Sequence, residues 1–130
     1  MNRNLYQKYQ QSSVQTATPA QLLIMLYDGA IRFVKLGIEA IEQKNYQKAN
    51  LNLLKSQAII HELIAGLDHD YAISKNLLQI YEYMLYQLIQ SNLKKNTKPA
   101  EEVLSYLKDM KETWMEASKQ VTMRQGATHA

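Results

Sequence analysis

Side chains able to carry chemistry are few in this chain and poorly spaced for it. Asp68-His69-Asp70 gathers three acid–base or metal-binding groups, but neighbours on a short turn point in different directions, so a solvated turn is the expected role. Glu39, Glu42, Glu62, Glu82, Glu101, Glu102, Glu112 and Glu116 all lack a histidine three residues later, the spacing by which a helical bundle builds a carboxylate di-metal centre. With no cysteine among its 130 residues, the chain has no thiolate ligand, thiol nucleophile or disulfide. It has neither a GxxxxGK phosphate loop nor a GxGxxG turn, and no Ser or Thr is placed with a His and Asp partner. No metal, cofactor or catalytic residue is therefore expected, and the chain reads as a non-enzyme.

Charge and hydropathy narrow the classes further. Fifteen basic against twelve acidic residues leave a formal net charge of +3, too small an excess to suggest nucleic acid as a partner. Lys94, Lys95 and Lys98 form a small basic turn that reads as a solvated loop. No apolar stretch reaches the roughly 18 residues of a membrane span, and the opening MNRNLYQKYQQSSVQ lacks a signal-peptide core. The expectation is a protein without membrane insertion, resident in the cytoplasm. A hydrophobic fraction of 46% suits one domain, which at this length buries about two-thirds of its unfolded surface.

Such few reactive groups turn attention to the elements and their surfaces. Four glycines and two prolines are too few for a strand-rich fold, and both prolines stand where a helix would begin. Thr18-Pro19-Ala20-Gln21 has the form of a capping box with proline at the first helical position. From there Asp28, Arg32, Lys35, Glu39 and Glu42 recur at steps of four and three, opposite a face of Leu22, Leu23, Leu26, Tyr27, Ala30, Phe33, Val34, Gly37, Ile38 and Ile41. A first helix to about Gln43, a second from about Tyr46 to Ala65 capped by Asn45 and stopped at Gly66, a third from about Tyr71 to Leu93 and a fourth from Pro99 to about Val121 follow. Short connections force neighbours to run antiparallel, so the expected fold is all-α, an up-and-down four-helix bundle. Its divisions are an N-terminal arm of residues 1–17 that docks or stays flexible, a bundle of residues 18–122 and a frayed tail of residues 123–130.

An ordinary bundle helix has one apolar stripe and an otherwise polar circumference. The fourth helix fits, with Val103, Leu107, Met110, Trp114, Ala117 and Val121 on one face. The second helix has a core face of Ala49, Leu53, Ile60, Ile64 and Leu67, and a second stripe of Leu51, Leu54, Ala58 and Ala65 with His61 beside it. The third has a core face of Ile73, Leu77, Ile80, Tyr81, Met84 and Leu88, yet its reverse side carries Gln79, Tyr83, Tyr86, Gln90 and Leu93. Part of this surplus is bundle interior. The rest, on two consecutive helices, reads as a groove for an amphipathic helix from another protein. Candidate contacts are Leu51, Leu54, Ala58, His61, Tyr83, Tyr86, Gln90 and Leu93, with Tyr6, Tyr9 and Val14 of the arm as a displaceable cover.

Val14-Gln15-Thr16-Ala17-Thr18-Pro19, then Gln21-Leu22-Leu23 and Met25-Leu26-Tyr27-Asp28-Gly29-Ala30-Ile31-Arg32-Phe33, resemble the flagellin-specific export chaperones of bacterial flagella. Ala58-Ile59-Ile60, Glu62-Leu63, Leu67-Asp68, Asn76-Leu77-Leu78, Tyr81-Glu82-Tyr83, Leu88, Asn92, Trp114 and Glu116-Ala117 extend the likeness over nearly the whole chain. The resemblance implies a cytoplasmic antiparallel bundle that binds the disordered C-terminal region of flagellin, blocks premature polymerisation and aids delivery to the flagellar type III export apparatus, with export-gate components as further partners. Within the motif, Gly29 and Ala30 suit close helix packing, and Asp28 with Arg32 suits a same-face ion pair. The competing reading is a homodimeric helical adaptor or regulator, its surplus stripes used for weak self-association or for a different amphipathic helix.

Overall fold

The computed structural model describes residues 17–129, which form four helices: α1 (Pro19–Glu42), α2 (Tyr46–Ala65), α3 (Ala72–Lys94) and α4 (Thr97–His129). α1 packs against α2 and α4, and α3 packs against the same two, so each helix touches two neighbours and the four close into a ring. This is the expected all-α bundle, with antiparallel neighbours joined by short turns. Tyr6, Tyr9 and Val14 lie outside the described residues.

The helix ends follow local chemistry. At the start of α1 the Thr18 hydroxyl accepts from the Gln21 N–H at 3.1 Å and the Gln21 side chain accepts from the Thr18 N–H at 2.9 Å, completing the capping box. Asn45 caps α2 through the Lys48 N–H at 3.2 Å. Gly66 does end α2, but its φ of −84° is right-handed, and an added Cβ would meet only ordinary contacts there. The left-handed positions are lysines, Lys44 at φ 59° and Lys95 at φ 51°. In the turn before α3, Asp68 organises the backbone by accepting from the Asp70 N–H at 3.0 Å, and its carbonyl accepts from the Ser74 hydroxyl. Buried Ser91 of α3 accepts from the Ala100 N–H at 2.9 Å and donates to the Asn96 carbonyl, pinning the start of α4.

The fourth helix differs most from expectation. It begins two residues before Pro99, which its first turn accommodates, and continues to His129 rather than ending near Val121. The apolar pattern does stop near Val121 and Gly126 stands where a helix stop would be read, yet the backbone continues helical past both into the segment expected to fray.

Tyr27, Ala30, Val34, Ile38 and Ile41 of α1 meet Ala49, Leu53, Ile60 and Leu63 of α2, Tyr81, Met84 and Leu88 of α3, and Ala100, Val103 and Leu107 of α4 in one core. The closest approach is between α1 and α2. A Cβ added to Gly37 would lie 2.7 Å and 2.8 Å from Leu53 Cδ2 and Cγ, and one added to Gly29 would lie 3.0 Å from Ile59 Cδ1. Two glycines thus let the α1 backbone sit on the α2 side chains, as expected for Gly29. Several assigned core positions sit elsewhere: Ile73 and Ile80 of α3 and Ala117 and Val121 of α4 are exposed. Ile73 stands in the first turn of its helix, and the second half of α4 extends beyond the residues that cover its first half.

Candidate partner-binding surface

On α2, Leu51, Leu54, Ala58 and His61 are all exposed, and Leu51 and Leu54 each leave about half of their surface open, at 51% and 49%. Steps of three, four and three keep them on one strip, opposite buried Leu53 and Ile60. On α3, Tyr86 is 58% and Leu93 is 74% exposed. The same spacing rule adds Ile89, exposed and lying between them, which the sequence reading passed over. The two strips flank a seam whose edge is marked by a 2.8 Å hydrogen bond from the Asn92 side-chain amide to the Asn50 side-chain oxygen. Leu51 and Leu93 are the chain neighbours of that pair, so each strip runs past a fixed contact between the helices.

Two of the eight candidates depart from this arrangement. Gln90 is half-buried. Tyr83 turns toward α4, where its ring lies 6.3 Å from that of Tyr106 at 58°, in a groove of about 410 Å³ lined by Gln79, Ile80, Tyr83, Tyr106, Asp109 and Met110. The nearby Glu102 carboxylate favours the neutral phenol and pushes the Tyr83 pKa up to about 12. The α3 stripe thus spreads around its helix, Leu93 beside the Asn92 contact with α2, Tyr83 on the α4 side and exposed Tyr86 on the crest between. Tyr106 was missed because it sat among polar residues on a helix whose core face was already full.

A second apolar opening lies at the end of the bundle where the arm joins. Pro19, Leu23, Trp114, Ala117 and Val121 line a groove of about 490 Å³ between the start of α1 and the second half of α4. Trp114 also forms part of a neighbouring cavity with Leu26, Leu63, Leu77 and Tyr81. Beneath it, the Tyr27 and Tyr81 hydroxyls share a buried hydrogen bond of 2.6 Å. Burial raises both pKa values, since a phenolate would lose its water there. The Trp114 indole nitrogen is buried close enough to Tyr27 to favour its ionised form, though no well-formed hydrogen bond joins them. Asp28 reaches across to Lys111 of α4 at 2.5 Å, and Arg32 and Lys55 stack on Phe33 at 4.8 Å and 5.3 Å.

Among the described residues no cluster of three His, Cys, Asp or Glu side chains is arranged to hold a metal ion, and no helix is long and apolar enough to cross a membrane. What the surface offers is apolar strips and grooves between helices. Over residues 2–121 the sequence matches the family described as Flagellar protein FliS. The chain belongs to the FliS family. It is 40% identical over 115 residues to the flagellar secretion chaperone FliS of Bacillus subtilis, covering 88% of this chain and 86% of that protein. It is 33% identical over 118 residues to the FliS of Salmonella typhimurium, at 88% and 87% coverage. Among solved structures, one described as a flagellar chaperone from bacteria superposes with a TM-score of 0.74 at 20% identity, covering 92% of this chain and 99% of that one. That likeness supports the FliS bundle as the fold.

Proposed function

We propose that this protein is a cytoplasmic export chaperone of the flagellum, holding the C-terminal region of flagellin in helical form until delivery to the export apparatus. The observation that carries the reading is the pair of exposed apolar strips, Leu51–Leu54–Ala58–His61 on α2 and Tyr86–Ile89–Leu93 on α3, on a chain that belongs to the FliS family. An amphipathic client segment seated along the seam between them exchanges contacts destined for the filament for contacts with these side chains, and folds as it does so. Tyr83 and Gln90 extend the contact surface over the crest of α3. No nucleotide or metal enters the holding step, because apolar burial and coupled folding supply its free energy.

The arm of residues 1–17 serves in this reading as a displaceable cover, its Tyr6, Tyr9 and Val14 being the apolar groups available for it. Components of the export gate take over the client on release. The test is isothermal titration of the full chain with a peptide from the flagellin C-terminal region, with helicity followed by circular dichroism. One-to-one binding with a gain of helix and a negative heat-capacity change is expected. No binding by a folded sample sinks the proposal and turns attention to self-association or to another helical partner.

A further inference from the structure

The turn from α1 to α2 and the turn from α3 to α4 lie side by side at one end of the ring, tied by the Asn92–Asn50 hydrogen bond. Five lysines meet there, Lys44 and Lys48 from the first connection and Lys94, Lys95 and Lys98 from the second. Four of them are exposed and Lys95 is half-buried. Within three residues of either turn Glu42 is the one carboxylate, and Glu39 and Glu101 stand about a helical turn further in. Among the described residues none of the five lysines is paired with a carboxylate. At the opposite end the connecting turn carries Asp68, His69 and Asp70 and no lysine. The basic turn that reads as a solvated loop in the sequence is therefore part of a wider basic face.

Local structure favours a residue other than lysine at four of the five positions. Lys44 and Lys95 hold left-handed φ of 59° and 51°, a conformation that glycine adopts without the steric cost. Lys48 and Lys98 stand in the first turns of α2 and α4, where the positive end of the helix dipole repels a cation. Lys94, in the last turn of α3, is the one that complements its helix. Backbone strain and unfavourable charge thus gather at a single end, the pattern of a surface kept for contact.

Apolar groups project among these cations. Tyr46, the first residue of α2, is 47% exposed, and Leu93, beside Lys94, is 74% exposed. The charges come from three helices and both turns, so they form a broad face and not a cleft, and they are point charges without an arginine fork. A short acidic segment would meet one row of such a face. A sheet of anionic headgroups above an acyl boundary meets all of it and receives the tyrosine and leucine as well.

We propose that this end of the bundle is a peripheral docking face for an anionic phospholipid bilayer. The lysines meet the headgroups, Tyr46 and Leu93 enter the interface, and adsorption is reversible because no acyl chain or spanning helix anchors it. The site does not rest on the flagellin reading, and Leu93 is the residue it shares with the α2–α3 strips.

The test is cosedimentation of the full chain with phosphatidylcholine vesicles made with and without phosphatidylglycerol. Binding to the anionic vesicles is expected to be about ten-fold tighter or more, and to fade as salt is added. Lys44→Gly with Lys95→Gly removes two charges while relieving the backbone, so this variant should keep its circular dichroism spectrum and bind roughly 30-fold more weakly, the effect of two lysines at an anionic surface. Lys108→Gln with Lys119→Gln makes the same change in net charge at exposed positions of α4 and should leave binding nearly unchanged. Equal binding to both kinds of vesicle, no binding to the anionic ones, or equal losses in the two double variants overturns the proposal. So does capture by immobilised polyglutamate of a chain that the vesicles leave in solution, which would make an acidic protein segment the partner.

Discussion

Tyr27 and Tyr81 place two hydroxyls deep among the apolar side chains of the core, and their 2.6 Å hydrogen bond satisfies both. Removing one leaves the other buried with a poorer partner, Met110 Sδ at 4.0 Å in the case of Tyr27. Tyr81→Phe is therefore expected to destabilise by about 1–2 kcal/mol, and Tyr27→Phe by a similar amount. The double replacement should lose less than the sum of the singles, measurable by urea midpoints in a double-mutant cycle. The pair also sets an alkaline limit. In the unfolded chain these hydroxyls ionise near their ordinary value of 10, whereas burial keeps both neutral beyond it in the folded state. The unfolded state then binds fewer protons above pH 10, so stability is complete below that pH and falls as pH rises past it. Urea unfolding at pH 8 and pH 11 should show the fall, and it should be shallower in the double phenylalanine variant.

At the scale of the element, Gly37 and Leu53 set the spacing of α1 and α2. Gly37→Ala improves helix propensity by about 1 kcal/mol in an open helix, but here the new methyl meets fully buried Leu53 at 2.7 Å. The clash is expected to win, with a net loss of about 1–2 kcal/mol by thermal or chemical unfolding. At Lys44, held at φ 59°, replacement by glycine relieves a backbone penalty and should raise stability by about 0.5–1 kcal/mol, read as a higher urea midpoint. Most of the element structure was legible in the sequence. Thr18 with Gln21, Pro19 and Asn45 gave the starts of α1 and α2 because capping is local chemistry, whereas Pro99 placed the start of α4 two residues late. The extent of α4 was not legible, because its apolar pattern ends near Val121 and Gly126 reads as a stop that the backbone passes through. Nor was the side taken by Tyr83, since periodicity gives a direction around one helix and says nothing of which neighbour stands there.

For the whole molecule, the separation of the α2–α3 strips from the α3–α4 groove makes two exposed substitutions informative. Leu54→Glu is expected to keep the circular dichroism spectrum and weaken flagellin peptide binding by roughly 100-fold, because it places a charge in a surface meant to be desolvated. Tyr83→Glu puts its charge in the other groove and should weaken the same binding far less. Titration of both variants checks the assignment, and equal losses would show that the client crosses α3 to reach both. The surplus surface of the eight candidate positions was readable because periodicity reveals it, but not the turn of Tyr83 toward α4, which depends on α3 packing against both α2 and α4.

The ring of helices also has a direction in time. Three of its four interfaces join helices adjacent in the chain, while the interface of α1 with α4 joins the first to the last. During synthesis α1 is made first, and the partner of its Gly29 and Gly37 flank, α2, is made next. The other flank of α1, with Tyr27 and Asp28, waits uncovered until Met110 and Lys111 have been made. A member of the FliS family thus passes through a stage of synthesis in which its own first helix is left half-sheltered.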